Sequence, residues 1–237
     1  MSPFAAELIG TALIIVFGNG VVANVVLSQT KGNGGGLVAI TIGWAMAVFI
    51  AVFATTAHSG AHLNPAVSLA MAITGKLPWG SLPAYILAQL LGAALGQLLV
   101  WLVYRDHFDA TLDPSAQLAC FATAPAIRKP VSNLSTEAIS TFVFVLAILF
   151  ITSPDSSMGS LQALPVALLV LGVGLSLGGP TGYAINPARD LGPRLMHAIL
   201  PMKGKGGSDW GYAWVPVLGP LLGATLAAWA FPILSAF

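Results

Sequence analysis

The chain has 237 residues, 57% of them hydrophobic and only 7% charged, where an ordinary soluble domain has about a quarter of its residues charged. So few charges cannot cover a soluble fold, and nine Lys+Arg against eight Asp+Glu give a net charge of +1, which excludes the basic footprint of a nucleic-acid partner. The lone Cys120 excludes an intrachain disulfide framework and, with no metal-ligand or redox spacing around it, reads as a packing residue.

A helix needs about twenty mostly apolar residues to cross a bilayer. The first such run, residues 4–27, carries Glu7, lacks a basic n-region and is too long for a secretory leader. A glycine-rich loop, 31–36, leads to a second span over 37–57. The next apolar segment, 65–74, is too short to cross and opens at Pro65 directly behind Asn64. Proline suits the first turn of a helix, so this segment reads as a half-helix. A third span over 82–104 is followed by the longest loop, 106–132, to which no chemistry is assigned. Asn133-Leu-Ser135 fits the glycosylation pattern but sits beside a span and reads as a chance match. Spans over 134–152, with Glu137, and 161–177 precede a second half-helix, 187–200, which opens at Pro187 behind Asn186. A loop at 201–209 and a last span at 212–232 complete the chain.

The two halves match station by station. Glu7-Leu-Ile-Gly-Thr11 recurs as Glu137-Ala-Ile-Ser-Thr141, and Ser59-Gly-Ala-His-Leu-Asn-Pro-Ala66 as Thr181-Gly-Tyr-Ala-Ile-Asn-Pro-Ala188. Leu91-Gly-Ala-Ala-Leu-Gly96 likewise matches Leu218-Gly-Pro-Leu-Leu-Gly223. Because each half holds three spans, the second enters the membrane from the opposite face, giving an inverted repeat. The expected fold is an all-α, multi-pass protein of the cell membrane with six transmembrane helices and two re-entrant half-helices. We expect one channel domain over 1–237, its repeats lying at about 1–105 and 133–237.

Backbone outside a helix at membrane depth must face protein or a water-filled cavity, so a cavity is expected between the half-helices. The residues ahead of each box, Gly60, Ala61, His62 and Leu63, and Gly182, Tyr183, Ala184 and Ile185, are expected to present carbonyl oxygens along it. Gly60 and Gly182 permit the unusual backbone path. Asn64 and Asn186 would each cap a half-helix and still donate from the amide. Both positive helix ends, about half an elementary charge each, would meet at mid-pore and repel cations. An isolated Asn-Pro-Ala is ordinarily just a turn and a helix start; two inverted copies are not.

With Ser-Gly-Ala-His-Leu-Asn-Pro-Ala-Val and Asn-Pro-Ala-Arg-Asp-Leu-Gly-Pro-Arg, the chain resembles the major intrinsic protein family, the aquaporins and glycerol facilitators, over its whole length. The resemblance implies one pore per protomer and a homotetramer. It makes Arg189 the filter arginine, with Trp44, Gly174 and Tyr183 as the other filter positions. Water-selective members typically carry His where Gly174 stands. Asp190, Arg194 and Pro216 also look like the glycerol-facilitator branch, whereas Tyr183 stands where that branch usually has Phe, and its extra hydroxyl is expected to narrow or rehydrate the filter. The resemblance further implies that Glu7 and Glu137 accept hydrogen bonds from the re-entrant loops as structural support.

Plainer alternatives attach to several of these residues. Arg189 could simply pair with Asp190, and Trp44 and Tyr183 could be interfacial anchors. His62 could line the pore or brace the loop. His58, His107 and His197 read as loop or interface residues, and the glycine pairs 92/96, 174/178 and 219/223 as close helix contacts. The resemblance places both termini in the cytoplasm, which puts Lys31, Arg105, Arg128, Lys129, Arg194, Lys203 and Lys205 outside and only Lys76 inside. The positive-inside bias points the other way; the repeat and motifs take precedence over it.

The expected activity is passive diffusion of glycerol and similar small uncharged solutes, with water also passing and ions and protons excluded. Alternatives are a channel mainly for water or for protonated organic acids such as lactic acid, or an ion-coupled transporter, since broken helices in inverted repeats also build carriers. No enzyme, cofactor or metal is expected, because the membrane region suggests no nucleophile, base and orienting group.

Overall fold

The computed structural model describes residues 1–152 and 159–236. Among these residues the helices run α1 (Pro3–Val26), α2 (Gly36–Ser59), α3 (Pro65–Ile73), α4 (Leu82–Ala110), α5 (Pro114–Ala119), α6 (Pro130–Ile151), α7 (Ala163–Leu177), α8 (Pro187–Ile199) and α9 (Val215–Leu234), with no strand. The expected spans fall on α1, α2, α4, α6, α7 and α9, and the expected half-helices on α3 and α8. Prolines open α1, α3, α6 and α8, where the missing N–H costs nothing because those donors have no intrahelical acceptor.

Five of the spans are long and apolar enough to cross a membrane by themselves. The sixth, α7, has only 15 residues and is preceded by a 3-10 turn, Gly159–Gln162. At about 1.5 Å per residue in the helix and about 2.0 Å in the turn the two together reach roughly 30 Å, the thickness of the hydrocarbon core. The chain is a multi-pass integral membrane protein. Its polarity is inverted accordingly: Leu87, Leu91, Leu95 and Leu99 form an exposed stripe along α4, and Leu218, Leu222 and Leu226 one along α9, while Glu7, Gln89, Gln97 and Glu137 are fully buried.

The repeat is visible in the packing. α4 lies against α1 so closely that a Cβ on Gly92 would strike the Leu8 carbonyl oxygen, and one on Gly96 would come within 2.5 Å of the Ala12 carbonyl. In the second half α9 lies against α6 the same way: a Cβ on Gly219 would come within 2.6 Å of the Glu137 Cβ, and one on Gly223 would strike the Ala138 carbonyl. Each half-helix then packs on a span of the other half, α3 on α9 and α8 on α4. The halves are interlocked rather than side by side.

The loop at 106–132 is more structured than expected. α4 continues past Tyr104, whose backbone leaves helical geometry (φ −106°, ψ 15°), and α5 follows, capped by Asp113, which accepts from the Ser115 hydroxyl and N–H. Those bonds hold the Asp113 carboxyl below the usual range. Two further expectations need correction. Arg194, counted above among the outside cations, lies on the half-helix α8 as expected but is fully buried and bound to Asp190 at 2.7 Å, so it carries no orienting weight. His197 is not at a loop or interface but fully buried, with Nδ1 2.9 Å from the Ser208 hydroxyl and its ring edge-on to Phe121.

Candidate functional site

Between α2 and α3, and again between α7 and α8, the chain re-enters the bundle in a non-helical conformation. The two segments adopt the same unusual path: φ is positive at Gly60, Ala61 and Leu63 (81°, 51°, 52°) and at Gly182, Tyr183 and Ile185 (79°, 37°, 43°). Left-handed backbone costs about 1–3 kcal/mol at each non-glycine position, so something must hold it. In the first half Glu7 does so, its Oε1 accepting from the Ser59 hydroxyl (2.6 Å) and His62 N–H (3.0 Å), and its Oε2 from the Leu63 N–H and Gln89 amide, both at 2.7 Å. In the second half Glu137 accepts from the Ala184 and Ile185 N–H groups, both at 3.0 Å. With the N–H groups turned to the glutamates, carbonyls are left for the cavity.

The half-helices meet through their capping asparagines. Asn64 Oδ1 accepts from the Ala66 N–H at 2.9 Å; Asn186 Oδ1 accepts from Ala188 at 3.0 Å and Arg189 at 3.2 Å. Each amide donates across to the other loop, Asn64 to the Ile185 carbonyl (2.8 Å) and Asn186 to the Leu63 carbonyl (2.9 Å). The last carbonyl of each expected ladder is therefore consumed by the opposite asparagine. One hydrogen of each amide remains for a solute.

A cavity of about 110 Å³ runs past these groups from Thr56, Thr152 and Gln162 at one end to Trp44, Tyr183 and Arg189 at the other. Gly60, Ala61, His62 and Ala184 border it, together with aliphatic side chains of α2, α6 and α7. A second cavity, of about 290 Å³ and bordered by Gly182, begins beyond Trp44, Tyr183 and Arg189. These three side chains are common to both and form the division between them. Trp44 and Tyr183 are only 5% and 7% exposed, so neither is an interfacial anchor. The Arg189 guanidinium stacks 4.3 Å from the Trp44 ring centroid. Its salt-bridge alternative does not occur, for Asp190 is bound instead by Arg194 and by the Thr123 N–H and hydroxyl. Of the five guanidinium donors, one finds a protein acceptor among the described residues, the Phe121 carbonyl at 3.4 Å.

Gly174 is not among the residues bordering either cavity. A Cβ there would press on the Thr41 methyl and lie 3.0 Å from the Tyr183 ring, and one on Gly178 would also strike that ring. The 174/178 pair is a helix contact as expected at Gly174, which lies against Thr41 of α2, and it is also a notch one turn long that houses the Tyr183 side chain. The Tyr183 hydroxyl is turned into the bundle beside Thr41 and is inaccessible, contrary to the expectation that it would rehydrate the filter. Tyr183→Phe is accordingly expected to leave the ratio of glycerol to water permeability within about twofold, well under 1 kcal/mol, in stopped-flow measurements on proteoliposomes.

His62 sits both ways, its Nδ1 3.1 Å from the Ser68 hydroxyl and its ring against Tyr85 while also bordering the cavity. Sequence reasoning overlooked Gln89, which ties Glu7 to Ser68. It also assigned nothing to the 106–132 loop, which supplies the Phe121 carbonyl and Thr123. For Gln89 a signal existed, a neutral polar side chain inside an apolar span; for a backbone carbonyl none did.

A family model described as major intrinsic protein matches residues 1–231. The chain is 52% identical over 233 residues to the glycerol uptake facilitator protein of Streptococcus pneumoniae R6, covering 98% of this chain and 99% of that one. It is 40% identical over 228 residues to the D/L-lactic acid transporter of Lactiplantibacillus plantarum, with 94% of each covered. The X-ray structure of the aquaglyceroporin from Plasmodium falciparum aligns with a TM-score of 0.87 at 30% identity, over 99% of this chain and 98% of that one. Two capped half-helices meeting inside six interlocked spans, together with a family match over nearly the full length, establish that the chain belongs to the major intrinsic protein family.

Proposed function

We propose that the protein is a passive channel for glycerol and similar small uncharged solutes, with water also passing, and that it is not an enzyme. The observation that carries this reading is the constriction, where one guanidinium is flanked by two aromatic rings between two cavities. Arg189 offers several N–H donors in a fixed fork to vicinal hydroxyls, while Trp44 and Tyr183 offer apolar walls to the C–H edge. Gly174 acts indirectly, by seating Tyr183. On either side of the filter a hydroxyl exchanges partners, with the Gly182 carbonyl on the side of the second cavity and with the carbonyls of Gly60, Ala61, His62, Tyr183 and Ala184 and the amides of Asn64 and Asn186 along the first. The positive ends of α3 and α8 face each other there and disfavour cations and hydronium.

On this reading Glu7, Glu137 and Asp190 support the loops and touch no solute. The interlocked halves make one channel domain over 1–237, and the protomer assembles as a homotetramer in the cell membrane. A second reading, permeation of undissociated lactic acid, is favoured by the lactic acid transporter among the relatives; a hydroxyl next to a carboxyl presents the same vicinal pattern to Arg189. Stopped-flow light scattering on one proteoliposome preparation, with glycerol, water, urea and lactic acid at low pH, tests both. Glycerol flux well above that of empty liposomes is expected. Its absence, or uphill accumulation driven by a proton gradient, overturns the channel reading.

A further inference from the structure

Arg189 can read a solute only if its guanidinium is held still, yet among the described residues its ring stacking and hydrogen bonding are sparse: the Trp44 ring and one long hydrogen bond to the Phe121 carbonyl. That carbonyl belongs to a loop, so its position must itself be fixed. It accepts a second hydrogen bond, from the Asn19 amide at 3.2 Å, and the same amide donates to Gln97 Oε1 at 2.6 Å. Asn19 lies on α1 and Gln97 on α4, both fully buried. Two amides in the apolar interior of adjacent spans are costly unless paired; here the Asn19 NH2 makes both bonds, Asn19 Oδ1 and Gln97 Nε2 have no partner among the described residues, and the pair ends on the backbone atom that the guanidinium meets. Phe121 is also wedged between Phe108 and His197, so its carbonyl has little freedom once Asn19 engages it.

The neighbouring residue completes the arrangement. A Cβ on Gly18 would collide with the Trp44 ring, so Gly18 makes room for the ring on which Arg189 stacks. Two successive residues of α1 thus reach two of the groups the guanidinium meets, the Trp44 ring and the Phe121 carbonyl, although neither borders either cavity.

We propose that Asn19, backed by Gln97, is a positioning residue of the filter, acting on solute selection through the Phe121 carbonyl and Arg189. The proposal rests on the reading of Arg189 as the solute-selecting group. Its test is the paired variant Asn19→Leu with Gln97→Leu, which removes both amides and leaves neither orphaned, measured in proteoliposomes against wild type. Permeabilities to glycerol, urea and water are compared as ratios, because a variant that merely inserts less well lowers all three in proportion.

The expected result is a shift of at least about threefold in the solute-to-water ratios, and no further shift when the same pair is placed in an Arg189→Val background, since coupled residues are non-additive. Unchanged ratios, or an equal shift in both backgrounds, would overturn the proposal. If the paired variant fails to insert, Asn19→Ser keeps a hydroxyl for Gln97 but falls short of Phe121, and it is judged by the same criterion. Wild type that passes urea and water but no glycerol would sink the glycerol reading alone, because the urea-to-water ratio still reports on the arginine.

Discussion

Gly174→His by itself is expected to abolish glycerol and water flux together. A Cβ at 174 would overlap the Thr41 methyl and crowd the Tyr183 ring, and real Cβ atoms almost never approach within 3.0 Å of a neighbour. An imidazole is larger still, so the ring must leave its notch, and the free space beside it is the constriction. Overpacking of this kind costs about 1–3 kcal/mol, and the displaced phenol would plug the path. Combining Gly174→His with Tyr183→Ala opens the notch, letting the imidazole replace the ring. One aromatic wall becomes a polar group, which favours water over a carbon backbone. Water permeability should then return to within roughly threefold of wild type while glycerol stays about tenfold lower, a difference of about 1.4 kcal/mol. The check is stopped-flow permeability to both solutes on matched liposomes. Wild-type glycerol flux through Gly174→His alone would show that Tyr183 does not depend on the notch.

Glu137→Gln should lower both permeabilities at least about tenfold. The Ala184 and Ile185 N–H groups each use one carboxyl oxygen of Glu137, and a carboxamide keeps only one oxygen, turning an NH2 toward the other donor. A lost hydrogen bond to a buried acidic side chain costs about 1.5–3 kcal/mol, and the strain at Tyr183 and Ile185 is released as the loop relaxes. Because Ile185 also receives the Asn64 amide, the disturbance reaches the meeting point of the two half-helices. Glycerol and water should fall together, with a lower melting temperature in detergent; unchanged flux and melting would remove Glu137 from the support of the loop.

The remaining basic loop residues are partly occupied locally. Lys205 donates to the carbonyls of His197, Ala198 and Leu200 at the end of α8, and Arg128 pairs with Asp209. Lysine at a helix C-terminus satisfies carbonyls that have no intrahelical partner. Lys205 and Arg128 thus have local structural uses independent of orientation.

Legibility followed the range of the interactions. The spans, half-helices and two boxes were readable because each rests on a run of apolar residues or a short motif, and the match between halves turned those local signals into an inverted repeat. Glu7 and Glu137 stood out because a carboxyl inside an apolar span has few innocent explanations. What Tyr183 does was not readable, because its ring is seated by Gly174 and Gly178 on another helix and its hydroxyl by Thr41 on a third. Nor was the role of the 106–132 loop, whose contribution to Arg189 is a backbone carbonyl that any residue would supply.

By itself, then, the sequence determined that the chain lies in a membrane and crosses it repeatedly, and it singled out Asn64, Asn186 and Arg189, all of which border the cavity between the half-helices, because hydrophobicity, proline and capping act within a few residues. Tertiary structure alone decided which groups Arg189 touches, that Gly174 backs the Tyr183 ring, and that α1 reaches the Phe121 carbonyl through Asn19. Those contacts join residues between about ten and more than a hundred positions apart, and only close packing of the helices brings them within hydrogen-bonding or van der Waals distance.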